Sequence, residues 1–117
     1  ISYQDWELVK KFLRGPTTII LPVKKGIVHP LILGKDGTLG IRIPSHSFGP
    51  NLTSKLGFPI TTTSVNKTNE SPLNNPNDVI RKFDGEFDLL IDDGKLPDSK
   101  GSIIYKLDKS KLTVIRR

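Results

Sequence analysis

The sequence predicts a mixed α/β fold of the α+β kind. Three observations predict it. Short β-branched runs such as "TTIILPV" and "KLTVIRR" recur between Gly, Pro and Asp turns. "TLGIRIP" alternates strictly, with Leu39, Ile41 and Ile43 on one side and Thr38, Gly40 and Arg42 on the other. Longer stretches with helical spacing and cap residues lie among them.

Taken in order, "SYQDWELVKKFLRG" reads as a helix. Ser2 caps it, Asp5 lies in its first turn, and Trp6, Val9 and Leu13 share a face with Phe12 beside them. Gly15-Pro16 stops it. "TTIILPV" is a strand ended by Pro22, "KKGIVHP" a turn, and "LILGKDG" a short edge strand running into a Lys-Asp-Gly turn. "TLGIRIP" is the next strand. "SHSFGPNLTSKLG" gives a short helix after Pro44, and "FPITTTS" a further strand. "NPNDVIRKFDG" is a helix with an Asn or Asp cap that ends at Gly85. "FDLLIDDG" reads as a buried strand, "KLPDSKG" as loop, and "SIIYKL" and "KLTVIRR" as two strands joined by "DKS". The expectation is about six strands and three helices in one domain over residues 1–117.

The 117 residues are 35% hydrophobic and 7% aromatic, enough for a modest core. No Cys is present, which excludes disulfides, thiolate metal sites and a cysteine nucleophile. No apolar run is long enough for a transmembrane helix, so a cytoplasmic protein without membrane attachment is expected. The formal net charge is +6 and the pI about 9.7, which suits an anionic partner such as a nucleotide or RNA. The chain begins at Ile1 and holds no Met, so it reads as a piece of something longer.

Neither a Walker-type phosphate loop nor a G-x-G-x-x-G turn occurs. Two His, His29 and His46, supply too few ligands for zinc. Asp92-Asp93-Gly94 reads as a turn rather than a metal pair. Asn51, Asn66 and Asn69 begin N-x-[ST] triplets, read as chance in an Asn- and Thr-rich chain.

Three polar clusters stand out. Arg42, beside Gly40 and Thr38 on the polar face of a strand, can offer its fork to a carboxylate or phosphate. "TTTSVN", residues 61–66, puts hydroxyls and an amide where a strand should end, next to free backbone N–H groups. Ser102 opens one late strand and Arg116 nearly ends the next. Each also has a plain reading, as a solvated edge Arg or as hydroxyl-rich turns.

Together these segments resemble the YrdC-like family, the threonylcarbamoyl-AMP synthases. "RGPTTIILP" looks like that family's Pro-Gly-Pro-x-Thr-x-x-Leu, with Arg14 where Pro is usual. "GTLGIRIPSH" is similar to its Gly-Thr-x-Gly-x-Arg-x-Pro-x-His. "FPITTTSVN" resembles its Pro-small-Ser-Ala-Asn strand end. "IDDGKLPDSKGSIIYKL" looks like its Asp-Gly-Gly…Ser-Thr-Val segment, and "LTVIRR" is similar to its closing Leu-Arg. The likeness runs from Gly15 to the end.

The resemblance implies a YrdC-like twisted mixed sheet with flanking helices. It also implies a nucleotidyltransferase that condenses L-threonine, bicarbonate and ATP to threonylcarbamoyl-AMP and pyrophosphate, for threonylcarbamoyladenosine in tRNA. ATP would come with Mg2+ held through its phosphates, and bicarbonate is a co-substrate. Arg42, Thr62 and Ser102 would bind threonine. Thr38, Ser64, Asn66 and Arg116 would bind ATP or AMP. Within that set, Arg42 would pair with the threonine carboxylate, and Ser64 and Asn66 would hold the nucleotide phosphate and the carbamoyl group. No protein nucleophile is needed.

The family's N-terminal half, with its Pro-Thr-acidic segment and its Lys- and Arg-rich triphosphate region, has no counterpart in residues 1–14. The chain is therefore expected to be the C-terminal portion of the domain and inactive alone. Exposed apolar sheet would favour a homodimer. Asn69 replaces a usual Gly, and Ile103 a usual Thr. Expected partners are a threonylcarbamoyl-transferase complex and tRNA or double-stranded RNA. The competing expectation is a non-catalytic RNA- or nucleotide-binding module of the same fold. A piece of a larger carbamoyl-transfer protein, such as a hydrogenase maturation factor, is a third.

Overall fold

The computed structural model describes residues 1–117 as two compact units. The first is Ile1–Pro59 with Gly101–Arg117, and the second is Ile60–Lys100.

The first unit begins with helix α1, Tyr3–Phe12. Its start is fixed by a reciprocal cap. The Ser2 hydroxyl accepts from Asp5 N at 3.1 Å, and the Asp5 carboxylate accepts from Ser2 N at 3.3 Å. Such a cap is worth about 1 kcal/mol. The Ser2 hydrogen bond, with a second from Ser110, holds the Asp5 carboxyl below its ordinary value. Val9 of α1 and Leu13, which caps its C-terminus, pack on a four-stranded sheet.

The strands are β1 (Thr17–Pro22), β2 (Thr38–Ile41), β3 (Ile103–Asp108) and β4 (Lys111–Arg116). They lie in the order β2-β1-β3-β4. β1 pairs antiparallel with β2 and parallel with β3, and β3 pairs antiparallel with β4. The sheet is thus mixed, as expected. Strand alternation sends Ile19, Leu21, Ile41, Tyr105, Leu107 and Leu112 towards α1, where Val9 and Ile19 are fully buried. Phe12 meets the Tyr105 ring edge-on at 5.3 Å. The β3–β4 turn places Lys109 and Ser110 at φ 45° and 62°, the paired left-handed conformation that matches strand twist in a tight hairpin. α2, Phe48–Leu56, follows Pro44 and ends on Gly57 in the left-handed region.

"LILGKDG" is not a strand. Pro30–Ile32 form a 3-10 turn, with His29 Nδ1 accepting from Leu31 N at 3.2 Å. Pro30 at its first position favours that turn over a ladder, because it has no N–H to give. His46 does similar work before α2, accepting from Phe48 N at 3.1 Å.

The second unit holds helix α3, Pro76–Phe83, whose Asn75 side chain accepts from Asn77 N at 3.0 Å. "FPITTTS" and "FDLLIDDG" form no strand. Their apolar side chains stay open to solvent, Leu89 at 77% and Ile91 at 58%. A strand exists only when a neighbour takes its N–H and C=O groups, and neither run has one. Asp92 and Gly94 form the expected turn, with Gly94 N donating to Asp92 Oδ1 at 2.7 Å. No helix is long and apolar enough to cross a membrane.

Candidate functional site

Four of the sequence-predicted residues lie in the first unit. Arg42 follows the last residue of β2. The pairs Ile20–Gly40 and Ile19–Ile41 put Thr18 next in register with Arg42. Thr18 leans over Gly40, since a Cβ on that glycine would sit 3.5 Å from Thr18 Cγ2. On the other side of β1, the Thr18 and Ser102 hydroxyls share a hydrogen bond of 2.6 Å. Ser102 is buried, and its carbonyl accepts from Arg116 Nη2 at 3.1 Å. A bulge between Ile104 and Tyr105 shifts β4 so that Arg116 stands opposite Ile104, on the face away from α1.

Arg42, Ser102 and Arg116 therefore come together at one end of one sheet face, with Thr18 between them. Arg42 is exposed and has no carboxylate partner in the chain. A free guanidinium beside a hydroxyl pair and a second guanidinium has the chemistry to receive a carboxylate or phosphate.

Thr38 is not in this group. It pairs with Pro22 at the far end of β2, about 13 Å from Arg42 at the rise of an extended strand. There it lines a cleft of about 480 Å³ with Asp36 and Lys106, whose Nζ is 3.6 Å from Asp36 Oδ2. Only an elongated ligand could touch both ends.

Gly101 explains how Arg116 is aimed. It stands at φ 81°, and a Cβ there would lie 3.2 Å from Arg116 Nη2. Gly101→Ala should cost about 1–2 kcal/mol of backbone strain and push the guanidinium off the Ser102 carbonyl. Gly94→Ala, at φ 74° with open space around its Cβ, should cost similar strain. Only Gly101→Ala should shift the Arg116 Nε–H resonance. Equal spectra at Arg116 would contradict this packing.

Thr62, Ser64 and Asn66 lie in the second unit. Thr62 and Ser64 are exposed in irregular chain, and Asn66 is half-buried. The Ser64 carbonyl accepts from Asn66 N at 3.2 Å, and the Val65 carbonyl accepts from Leu73 N at 2.8 Å, closing a loop over 65–73. Asn69 carries φ 66° in that loop. A Gly would take this conformation freely, and Asn is among the side chains that tolerate it best, so this replacement keeps the turn. Asn66 Nδ2 donates to the Lys67 carbonyl at 2.9 Å, which orients the amide. Its Oδ1 is buried and has no hydrogen-bond partner. A buried acceptor of this kind costs about 1–3 kcal/mol until a donor reaches it. It suits an N–H or O–H, such as a carbamoyl N–H, rather than a phosphate oxygen, itself an acceptor.

Sequence reasoning did not single out Thr18 or Lys106. The signal for Thr18 was present in "TTIILP", because two adjacent Thr at a strand start must point to opposite faces. Charge is also divided unevenly. The first unit has thirteen Lys and Arg against four Asp and Glu, and the second has five against eight. The basic surplus thus accompanies the Arg42 group. The chain gathers no three His, Cys, Asp or Glu that could hold a metal.

Comparison with known proteins gives the family. The family described as Sua5_yciO_yrdC, telomere recombination, matches residues 1–117. A provisionally named threonylcarbamoyl-AMP synthase of Methanocaldococcus jannaschii is 37% identical over 110 residues, 94% of this chain and 50% of that protein. The threonylcarbamoyl-AMP synthase of Idiomarina loihiensis is 34% identical over 79 residues, 68% of this chain and 42% of that one. Among solved structures, E. coli YciO superposes with a TM-score of 0.84 at 26% identity, covering 99% of this chain and 56% of that chain. P. abyssi Sua5, complexed with L-threonine, gives 0.82 at 27%, covering 99% and 34%. The chain spans about half the length of the curated relatives it matches. The sheet, its helices and the matched sequence agree: the chain belongs to the Sua5/YciO/YrdC family.

Proposed function

We propose that residues 1–117 are a portion of one YrdC-like domain and carry part of a threonylcarbamoyl-AMP synthase site. The observation that carries this reading is the free Arg42 guanidinium beside Thr18, Ser102 and Arg116 on one sheet face. A relative of the same fold has been solved with L-threonine.

In this reading Arg42 of the first unit pairs with the threonine carboxylate and Ser102 contacts the amino acid, and Thr62 is the second unit's own contact with threonine. The threonine amine adds to bicarbonate and loses water, giving a carbamate. A carbamate oxygen then attacks the α-phosphorus of ATP. The bond from that phosphorus to the bridging oxygen breaks, and pyrophosphate leaves with its electrons. In the first unit Arg116 and Thr38 contact the nucleotide, and in the second Ser64 contacts phosphate while Asn66 Oδ1 accepts from the carbamoyl N–H. This is nucleotidyl transfer without a protein nucleophile, driven by positioning and charge. Mg2+ would ride on the ATP phosphates.

The product would pass to a transferase acting on tRNA. That complex, tRNA and a second copy of the chain are proposed partners of the whole protein. The alternative, a non-catalytic RNA- or nucleotide-binding module, rests on the basic charge of the first unit alone.

Titration of the labelled chain with L-threonine in the presence of ATP, followed by amide NMR, tests the placement. Shifts are expected at Thr18, Gly40, Arg42 and Ser102, with Val9 and Leu13 unmoved. Shifts confined to other residues, or none at saturating threonine, would overturn it.

A further inference from the structure

Loop 64–69 presents Ser64 and Asn66 from irregular chain, without a ladder to hold it. Something else must fix it, and the second unit contains a device for doing so. Lys67, adjacent to Asn66, reaches both carboxylate oxygens of Glu86 at 3.1 Å. The same ammonium lies 4.7 Å from the centre of the Phe83 ring, at the end of α3. A second pair runs the opposite way, from Lys82 of α3 to Glu70, the residue that follows the loop. Glu86 is placed by the turn after α3, where its N–H bonds to the Phe83 carbonyl at 2.9 Å. The Lys67 carbonyl, in turn, is the group that orients the Asn66 amide.

We propose that Lys67 and Glu86 are positioning residues. Through their pairing over Phe83 they clamp loop 64–69 to the end of α3 and so aim the Asn66 amide at the ligand. This rests on the synthase reading for the identity of that ligand. Neither residue need touch it.

A lone exposed ion pair would hold little. Here the two Lys67 contacts share one ammonium, and a second, crossed pair limits rotation of the loop. The ring adds an attraction to the charge and a surface for the lysine stem.

The test uses Lys67→Met, Glu86→Gln and Lys67→Arg, read in two ways. The first is exchange of the Leu73 amide, whose bond to Val65 closes the loop. Met, which loses both the ion pair and the ring contact, should speed it up to about tenfold and Gln a few-fold, with the Ile20 amide unchanged. Arg, which can stack and fork, should stay within about twofold. The second is ATP affinity in the presence of L-threonine. Removing the Glu86 carboxylate would by charge alone strengthen binding of an anion. Positioning gives the opposite sign, so Glu86→Gln should bind ATP several-fold more weakly, as Lys67→Met does.

Unchanged Leu73 exchange, or ATP bound as well or better by Glu86→Gln, would overturn the proposal. Weaker binding in Lys67→Met but not in Glu86→Gln would make Lys67 a direct ligand contact and also overturn it. If the unaltered chain binds no ATP, residues 1–117 do not form a nucleotide site by themselves. Leu73 exchange then decides the clamp by itself.

Discussion

Ile19→Ala is expected to lower the unfolding free energy of the chain by about 2–5 kcal/mol, read from urea denaturation. Ile19 is fully exposed-surface-free, at 0%, and sits at the centre of the sheet. Its strand partners are Ile41 on one side and Tyr105 on the other. The buried apolar core consists of Val9, Leu13, Ile19, Leu21 and Leu107 only, and of these Val9 and Ile19 alone are fully buried. With so few members, the cavity has little around it that can collapse to fill it. Whole domains are stable by roughly 5–15 kcal/mol, so one truncation here removes a large share. Leu89→Ala, at a side chain 77% exposed, should change stability by no more than about 0.5 kcal/mol. Similar losses at both positions would mean that the core does not lie between α1 and β1.

The same contrast shows which parts of the fold the sequence made legible. α1 was readable because its cap is local, with Ser2 and Asp5 three residues apart. β2 was readable because Thr38, Gly40 and Arg42 alternate with apolar neighbours. The β3–β4 hairpin followed from a short polar turn between two β-branched runs. These signals need nothing from outside the segment. "FPITTTS" and "FDLLIDDG" have strand composition too, but strand formation depends on a neighbouring edge, which composition cannot reveal. "LILGKDG" misled for a different reason. His29-Pro30 offers a local turn, and its hydrogen bond to Leu31 outweighs the apolar content that follows.

The site was partly legible in the same way. Arg42 on a polar strand face was visible from alternation, and its neighbours Ser102 and Arg116 from their places at a strand start and a strand end. Their convergence was not visible, because it depends on the parallel pairing of β1 with β3, residues 84 positions apart at the Thr18–Ser102 bond. Thr38 and Arg42 look like close companions in sequence, yet the extended backbone between them holds them at opposite ends of β2. The unpartnered Asn66 acceptor is a matter of burial and direction that "TTTSVN" does not encode locally.

Arg42→Ala should have the largest effect on ligand binding. A charge-assisted pair with a carboxylate is worth about 1.5–3 kcal/mol, so threonine affinity should fall roughly 10- to 150-fold. Stability should hardly change, because the guanidinium is exposed and supports no internal ion pair. The loss should be specific to the carboxylate. Arg42→Lys should recover only part of it, since an ammonium cannot make the two parallel hydrogen bonds of the fork.

The most direct measurement is calorimetric titration of ATP and L-threonine, separately and together, on this chain and on Arg42→Ala. The expected result is that threonine binds more tightly with ATP present and that the Arg42→Ala variant loses this coupling while remaining folded. Threonine binding that is absent, or that is equal in both chains, would contradict a threonine site at Arg42.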